Sequence, residues 1–300
     1  MNLTTLMYHY VFSPLDEKYS NFHALRNDEF EKQVDFLSKK YSFIKPYQVG
    51  LFASGELELD KPPLILTFDD GLKCHYTNVF PILRERNIPG FFFITTLPLT
   101  DYQVPIIHKT HILRALLGDE KFAIECLSAA EKIMGKIALD EIAPLEVAVR
   151  TYRWDEPFIK QVKYLINMVM NEQGREEIIS ELFIKYIAES EKEIVREFFI
   201  TLPELVEMEN ANMIIGGHSH QHRTLSNLLV PEVHNDLHCN INFLNSVLNN
   251  PIHTFSYPYG KKNTYHNGVI EILRSLGINL AFSSEVGTNN STIDLFQIKR

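Results

Sequence analysis

The sequence predicts an α/β fold interrupted by a block of helices, and three observations predict it. Short apolar runs that stop abruptly recur along the chain, at residues 64–68, 91–95, 213–217, 254–257 and 280–283. Runs of this length and continuity read as strands buried on both faces, as in a parallel sheet. Segments of helical periodicity separate most of them, the alternation expected of an α/β barrel or a doubly wound sheet. Between about Pro105 and Ile200 the strand signal disappears, and only helical periodicity remains, broken at Gly118, Gly135, Pro144, Pro157 and Gly174.

The elements follow in order. Residues 3–7 are apolar with two threonines and run into Tyr8, His9, Tyr10 and Val11, a first strand. Alternation of side chains along it sets His9 opposite to Tyr8 and Tyr10. A helix then begins with Asn27 as N-cap, Asp28 and Glu29 in the first turn, and Phe30, Val34 and Leu37 on one face. Pro62 and Pro63 precede the run 64–68, which ends in Asp69-Asp70-Gly71. A helical pattern over 77–87 leads to the strand 91–95. After the helical block come helices near 201–210, 232–248 and 267–276 between the last three strands. Thr201 and Glu204 have the spacing of a capping box.

At 300 residues and 45% hydrophobic composition the chain supports one large core. The expectation is a single domain over 1–300 carrying a helical insertion over 105–200. A formal net charge of −9 excludes a phosphate-backbone binder, which needs a basic face. Cys74, Cys126 and Cys239 are odd in number and widely spaced, so they give no disulfide framework and no C-x-x-C site. The first residues lack a basic segment followed by an apolar one, and no apolar run approaches the roughly 18 residues that span a bilayer. The expected location is the cytoplasm.

Chemistry concentrates at strand ends. Asp69 and Asp70 are adjacent carboxylates after a buried strand, an arrangement that calls for a neutralising cation; the bland alternative is an Asp-Gly turn. The segment Gly216-Gly217-His218-Ser219-His220-Gln221-His222 follows another strand. Imidazoles at i and i+4 can direct two neutral nitrogens at one point, which suits zinc or a similar ion. Asp70, His218 and His222 make three protein ligands and leave a position open for water, the pattern of a catalytic metal. His220 between them should point away. His234 and His238 share the i, i+4 spacing but lie one step off the apolar stripe Val233, Leu237, Ile241, Leu244, so they read as solvated helix residues, and His108 and His111 receive the same reading. The third element, Phe255-Ser256-Tyr257-Pro258-Tyr259-Gly260, by itself signals only a tight turn.

Taken in order, Thr67-Phe68-Asp69-Asp70-Gly71, His218-Ser219-x-x-His222 and Tyr257-Pro258-Tyr259-Gly260 resemble the first three motifs of the polysaccharide deacetylases, carbohydrate esterase family four. The likeness spans about 3–100 and 201–300. It implies a distorted parallel (β/α) barrel with its site at the C-terminal ends of the strands. It further implies that Asp69 is the general base, that Asp70, His218 and His222 bind a divalent metal with zinc the first choice, and that Tyr259 lends its backbone N–H to an oxyanion. Tyr257 and Pro258 would line the substrate, an N-acetylated sugar of a glycan or glycan precursor, with the Tyr257 and Tyr259 rings stacked on sugar faces.

The sequence departs from that family in three places. A Leu-x-His motif near the C-terminus, which supplies the proton for the leaving amine, is missing; Ser256 stands where an arginine commonly pairs with the base; and Arg223 replaces the proline after the second histidine ligand. A subgroup resembling the poly-N-acetylglucosamine deacetylases shares the N-terminal Tyr-His pair, here Tyr8-His9, and the Tyr-Pro-Tyr-Gly motif. In that subgroup the N-terminal histidine replaces the acid, which nominates His9; Arg300 is the nominee for the missing arginine. The competing readings are an amide or cyclic-imide hydrolase on the same metal, and a catalytically degenerate barrel that only binds sugar. The helical insertion is a candidate oligomer interface.

Overall fold

The apolar runs fold into one curled parallel sheet. The computed structural model describes residues 1–13, 21–151 and 156–300. Its strands are β1 (Thr4–Tyr8), β2 (Val11–Phe12), β3 (Leu25–Arg26), β4 (Ser42–Phe43), β5 (Pro63–Phe68), β6 (Gly90–Ile94), β7 (Ile214–Gly217), β8 (Thr254–Ser256) and β9 (Leu280–Phe282). Seven of them pair, all in parallel, in the order β1-β5-β6-β7-β8-β9, with β4 beside the start of β5. β2 and β3 pair separately, also in parallel. By their contacts the residues divide into two compact units, one from the described parts of Met1–Glu17, His23–Gln103 and Glu191–Arg300, the other from those of Lys18–Phe22 and Val104–Ser190.

In the sheet unit the period of two along each strand sorts side chains into two cores. Leu64, Leu66 and Phe68 of β5 and Phe92 and Ile94 of β6 pack with Phe30, Val34, Leu205, Leu237, Leu244 and Leu273 of the surrounding helices. Ile65, Phe91 and Phe93 face the other way and meet Leu3, Phe52, Phe282 and Ile298. All six residues of β5 are buried, which is why its sequence shows no polar alternation. The chain from Asn289 onward fills the seam between β9 and β1. Ser283 N–H donates to Ile298 O and Ile298 N–H to Ala281 O, while Leu3 and Asn289 exchange backbone bonds at 2.8 and 3.0 Å. The buried Asn289 side chain accepts from Lys299 N–H at 2.9 Å and donates to Lys299 O at 3.0 Å, which fastens the tail there.

Several local expectations need correction. Asn27 is the first helical residue of Asn27–Lys40, and the extended N-cap is Arg26. The pattern over 77–87 begins as a π turn, His75–Val79, before the α-helix Phe80–Glu85. Gly174 does not break a helix: it lies in the first turn of Glu172–Tyr186, where its N–H donates to the capping Asn171 side chain at 2.9 Å. The capping box forms, with Thr201 N–H and Oγ1 both donating to Glu204 at 2.8 Å.

Among its described residues the other unit has helices and no strands, with Ile106–Leu117, Asp119–Met134, Pro157–Tyr164 and Glu172–Tyr186 as its longer helices. Leu113, Phe122, Cys126, Ala130, Val162, Leu165, Ile178, Leu182 and Phe183 are buried there. Lys132–Glu181 and Lys185–Glu125 pairs, both at 2.6 Å, tie its second helix to its last. His108 is fully buried in this unit and not solvated as its spacing suggested, with its ring edge-on to His111 at 6.0 Å. No helix among the described residues is long and apolar enough to cross a membrane. None of the three cysteines forms a disulfide.

Candidate metal centre

Each proposed ligand is delivered by the end of a strand. β5 finishes at Phe68, and Asp69 N–H continues the ladder by donating to Tyr8 O at 3.1 Å. The chain then turns through two left-handed residues, Asp70 at φ 82° and Gly71 at φ 72°. A left-handed aspartate is costly, so the surroundings must hold it there. After β7, His218 N–H donates to Ile94 O at 3.1 Å. Its Nδ1 lies 2.7 Å from Ser256 O, and since a carbonyl only accepts, that nitrogen carries the proton and Nε2 keeps its lone pair. Ser219 and His222 are also left-handed, at φ 62° and 58°, and Ser219 Oγ accepts from His222 N–H at 2.9 Å.

The loop is fastened from the helix Val230–Val247. Asp236 accepts the His220 and Gln221 N–H groups at 2.8 and 3.0 Å. Asn240 Nδ2 donates to Ile94 O, Thr96 Oγ1 and Ser219 O. A Cβ on Gly217 would stand 2.4 Å from Asn240 Oδ1, so this clasp requires the glycine. His220 turns away as expected: its Nδ1 meets Thr96 Oγ1 at 3.1 Å. Sequence reading missed Asp236 and Asn240. The signal was present, because both interrupt the apolar stripe of Val233, Leu237, Ile241 and Leu244 on the buried face of their helix.

Asp70 Oδ1 lies 3.3 Å from His218 Nε2 and 3.2 Å from His222 Nε2, and all three residues are buried. Their ligand atoms lie within 4.8 Å of one another, and among the described residues no other such group occurs. Donors on a tetrahedral zinc stand roughly 3.3 Å apart, so the donor set fits a transition-metal ion in type and in spacing. His234 and His238 are exposed and stack on each other at 5.7 Å, away from any such group.

Beside the ligands Asp69 is 2% exposed and bound to Arg300, whose Nη1 donates to its Oδ1 at 2.7 Å. The same guanidinium donates to Thr67 Oγ1, Ser256 Oγ and Ser283 O, so Arg300 spans the ends of β5, β8 and β9. Arg300, the nominee for the missing arginine, thus pairs with Asp69 and also reaches Ser256. Burial would raise the Asp69 carboxyl, but the charges of Arg300, His218 and His9 win and hold it below its ordinary value. Burial would depress His218, yet Asp69 and Asp70 raise it. With Asp69 matched by Arg300, the charge of Asp70 is left for the imidazoles or for a cation.

The register Tyr8↔Phe68 sets His9, the next residue, level with Asp69, and His9 is half-buried. Tyr8 faces the helices instead, stacked on Phe68 at 5.3 Å with its hydroxyl donating to Gln33 at 3.0 Å. Tyr259 is left-handed at φ 62°, and its ring meets that of His222 at 5.1 Å. A Cβ on the following Gly260 would stand 2.5 Å from Ser284 N, which fixes a glycine there. Tyr257 corrects the expectation of a sugar-stacking ring. It is 1% exposed, lies face to face with Tyr265 at 3.8 Å, and donates its hydroxyl to Phe296 O at 3.0 Å. Pro258 is buried as well. Their strand-end position directs them into the core, and Tyr259 is the half-buried ring of the three-residue run.

Comparison with known proteins gives a consistent picture. A family model described as polysaccharide deacetylase matches residues 56–155 and 183–281. No curated protein sequence matches the chain. Among solved structures, the Streptococcus pyogenes deacetylase PplD in complex with acetate superposes with a TM-score of 0.60 at 16% identity, covering 100% of this chain and 91% of that one. IcaB from Ammonifex degensii gives a TM-score of 0.59 at 18% identity, covering 100% and 90%. A de-N-acetylase from Aggregatibacter actinomycetemcomitans gives 0.56 at 13% identity, covering 100% and 94%. At these identities the likeness establishes the fold.

Proposed function

The chain belongs to the polysaccharide deacetylase family, and from that premise we propose that it hydrolyses the N-acetyl group of an amino sugar with a divalent cation held by Asp70, His218 and His222. The observation that carries this reading is the convergence of three buried donor atoms within 4.8 Å, beside a carboxylate already matched by Arg300. Zinc is the first candidate, because two imidazoles and one carboxylate suit it.

The residues divide the work by charge. A bound cation would supply Lewis acidity, polarising the acetamide carbonyl and making water a better acid. Asp69 accepts the proton of the attacking water; its ionised state is kept by Arg300, which also fixes the orientation of the carboxylate. The backbone N–H of Tyr259 donates to the carbonyl oxygen as it gains charge. His9, level with Asp69 across the β1–β5 pair, donates a proton to the departing amine. The substrate class proposed is a glycan or glycan precursor bearing N-acetylglucosamine-like units.

The test is acetate release from N-acetylchitooligosaccharides, β-1,6-linked N-acetylglucosamine oligomers and nucleotide-linked N-acetyl sugars, with and without chelator, beside a set of small cyclic imides. Release from a sugar that stops with chelator and returns with zinc is the expected result. Turnover of imides alone would move the reaction to another amide. Sugar binding without release from any of them would leave a binding barrel.

A further inference from the structure

His75 is a fully buried histidine that the mechanism above does not use. It opens the π turn His75–Val79, and its ring lies 5.6 Å from that of Phe68 and 6.0 Å from that of Phe92. Its Nε2 is 2.6 Å from the carbonyl oxygen of His9. Because that oxygen can only accept, Nε2 carries the proton. Nδ1 is buried and has no hydrogen-bond partner. An unmatched buried nitrogen is a cost that a phenylalanine of similar shape would avoid, so packing alone does not account for a histidine here; the bond to His9 does.

The neighbouring carbonyls show what that bond belongs to. His9 and Tyr10 form the corner between β1 and β2, and each carbonyl from 8 to 11 takes a donor. Tyr8 O accepts from Asp69 N–H at 3.1 Å and Tyr10 O from Leu25 N–H at 3.0 Å, both through backbone. The other two rely on side chains of the π turn: His9 O on His75, and Val11 O on Asn78 Nδ2 at 2.7 Å. His75 and Asn78 lie within this one turn, so one short segment grips the corner at two points. π turns recur at functional sites, where they re-aim side chains.

We propose that the turn His75–Val79 is a clamp that places His9, with His75 as a positioning residue acting through the His9 carbonyl and Asn78 supporting it through Val11. The proposal rests on the reading of His9 as proton donor and adds what holds that donor in place. A clamp that acts through His9 makes a prediction that plain core packing does not. Loss of His75 should cost activity only while His9 is present.

The experiment compares the metal-loaded protein with His9→Ala, His75→Phe, His75→Gln, Asn78→Ala and the His9→Ala/His75→Phe double variant. It reads kcat and KM for acetate release, bound metal, and the ring resonance of His9 by NMR, assigned by its loss in His9→Ala. His75→Phe is expected to lower kcat about tenfold with KM and metal content unchanged, and His75→Gln, which restores a donor, to recover to within about threefold. In the His9→Ala background His75→Phe should cost less than about twofold. The His9 resonance should shift in His75→Phe and return towards its original position in His75→Gln. Asn78 is only half-buried, so Asn78→Ala gives a second reading if His75→Phe misfolds, with a smaller kcat loss that again disappears without His9. Equal losses in both backgrounds, or a His9 resonance that does not move, would overturn the clamp while leaving the donor in place. A His9→Ala variant at full rate would instead remove His9 from the reaction, and the clamp with it.

Discussion

In the helical unit the left-handed backbone positions fall on glycines, Gly118 and Gly135, each just past the end of a helix. In the sheet unit they fall on ordinary residues too: among the described residues, all seven non-glycine positions with positive φ lie there, and Asp70, Ser219, His222 and Tyr259 are among them. Each such residue costs of order 1–3 kcal/mol and persists only where its surroundings over-determine it. The surroundings do so here, through Asp236, Asn240 and Ser219 around the histidine loop and Ser284 against Gly260. The contrast extends to charge. The sheet unit buries Asp69, Asp70, Asp236 and Arg300 with defined partners, whereas the ion pairs that join the helices of the other unit are partly exposed. Strain and buried charge mark the part of the molecule where a reaction has been built, and helix propensity with glycine stops suffices for the rest.

The sharpest way to break that contrast is at the buried charges. Asp69→Asn is expected to lower acetate release by about 10³-fold while bound metal stays, because the base goes and the ligands remain; full activity would take Asp69 out of the mechanism. Arg300→Ala strips the partner from a buried carboxylate, so unfolding by urea should show a loss of about 3–5 kcal/mol, with kcat falling more than KM. A stability change below about 1 kcal/mol would mean that the Asp69–Arg300 pair is solvated after all.

A smaller effect concerns pH. Burial pushes His75 down to about 4 from an ordinary value of 6.5. The folded state therefore resists protonation that the unfolded chain accepts below pH 6.5. Its contribution is whole above pH 6.5 and is lost as pH falls from 6.5 towards 4, by about 3 kcal/mol across that window. With chelator present, the parent should lose stability of that order relative to His75→Phe over the same range; a relative stability independent of pH would contradict it. The smallest effect belongs to the helical unit. Lys132→Ala removes an exposed partner of Glu181 and should change stability by less than about 0.5 kcal/mol, with acetate release unchanged. A loss of activity would show that the helical unit takes part in the reaction.

How much was legible in the sequence follows from whether the signal is local. β5 and β6 show as apolar runs because both their faces are covered, and Asp69, Asp70, His218 and His222 stand at strand ends where sequence order fixes their place. The two-residue strands β2, β3 and β4 are too short to show any period, and the helix Pro46–Ser54 escaped notice for want of a regular polar face. The partner of Asp69 lies 231 positions away along the chain. Only the resemblance, through the missing arginine, nominates Arg300 for that place; its geometry depends on a tail that closes the seam between β9 and β1, which no window of sequence displays. Tyr257 shows the opposite case: its motif position suggests a ligand contact, but the ring's stacking on Tyr265 and its bond to Phe296 place it in the core. The π turn at His75–Val79 looks like ordinary helix from periodicity, and only the carbonyls it binds tell it apart.

The central claim is that Asp70, His218 and His222 hold one divalent cation. Zinc titration followed by calorimetry and elemental analysis tests it most directly. The account predicts one ion per chain in the parent and in Asp69→Asn, and none retained in His222→Ala. Tight binding of one ion by His222→Ala, or no binding by the parent at any zinc concentration that leaves it folded, would contradict it.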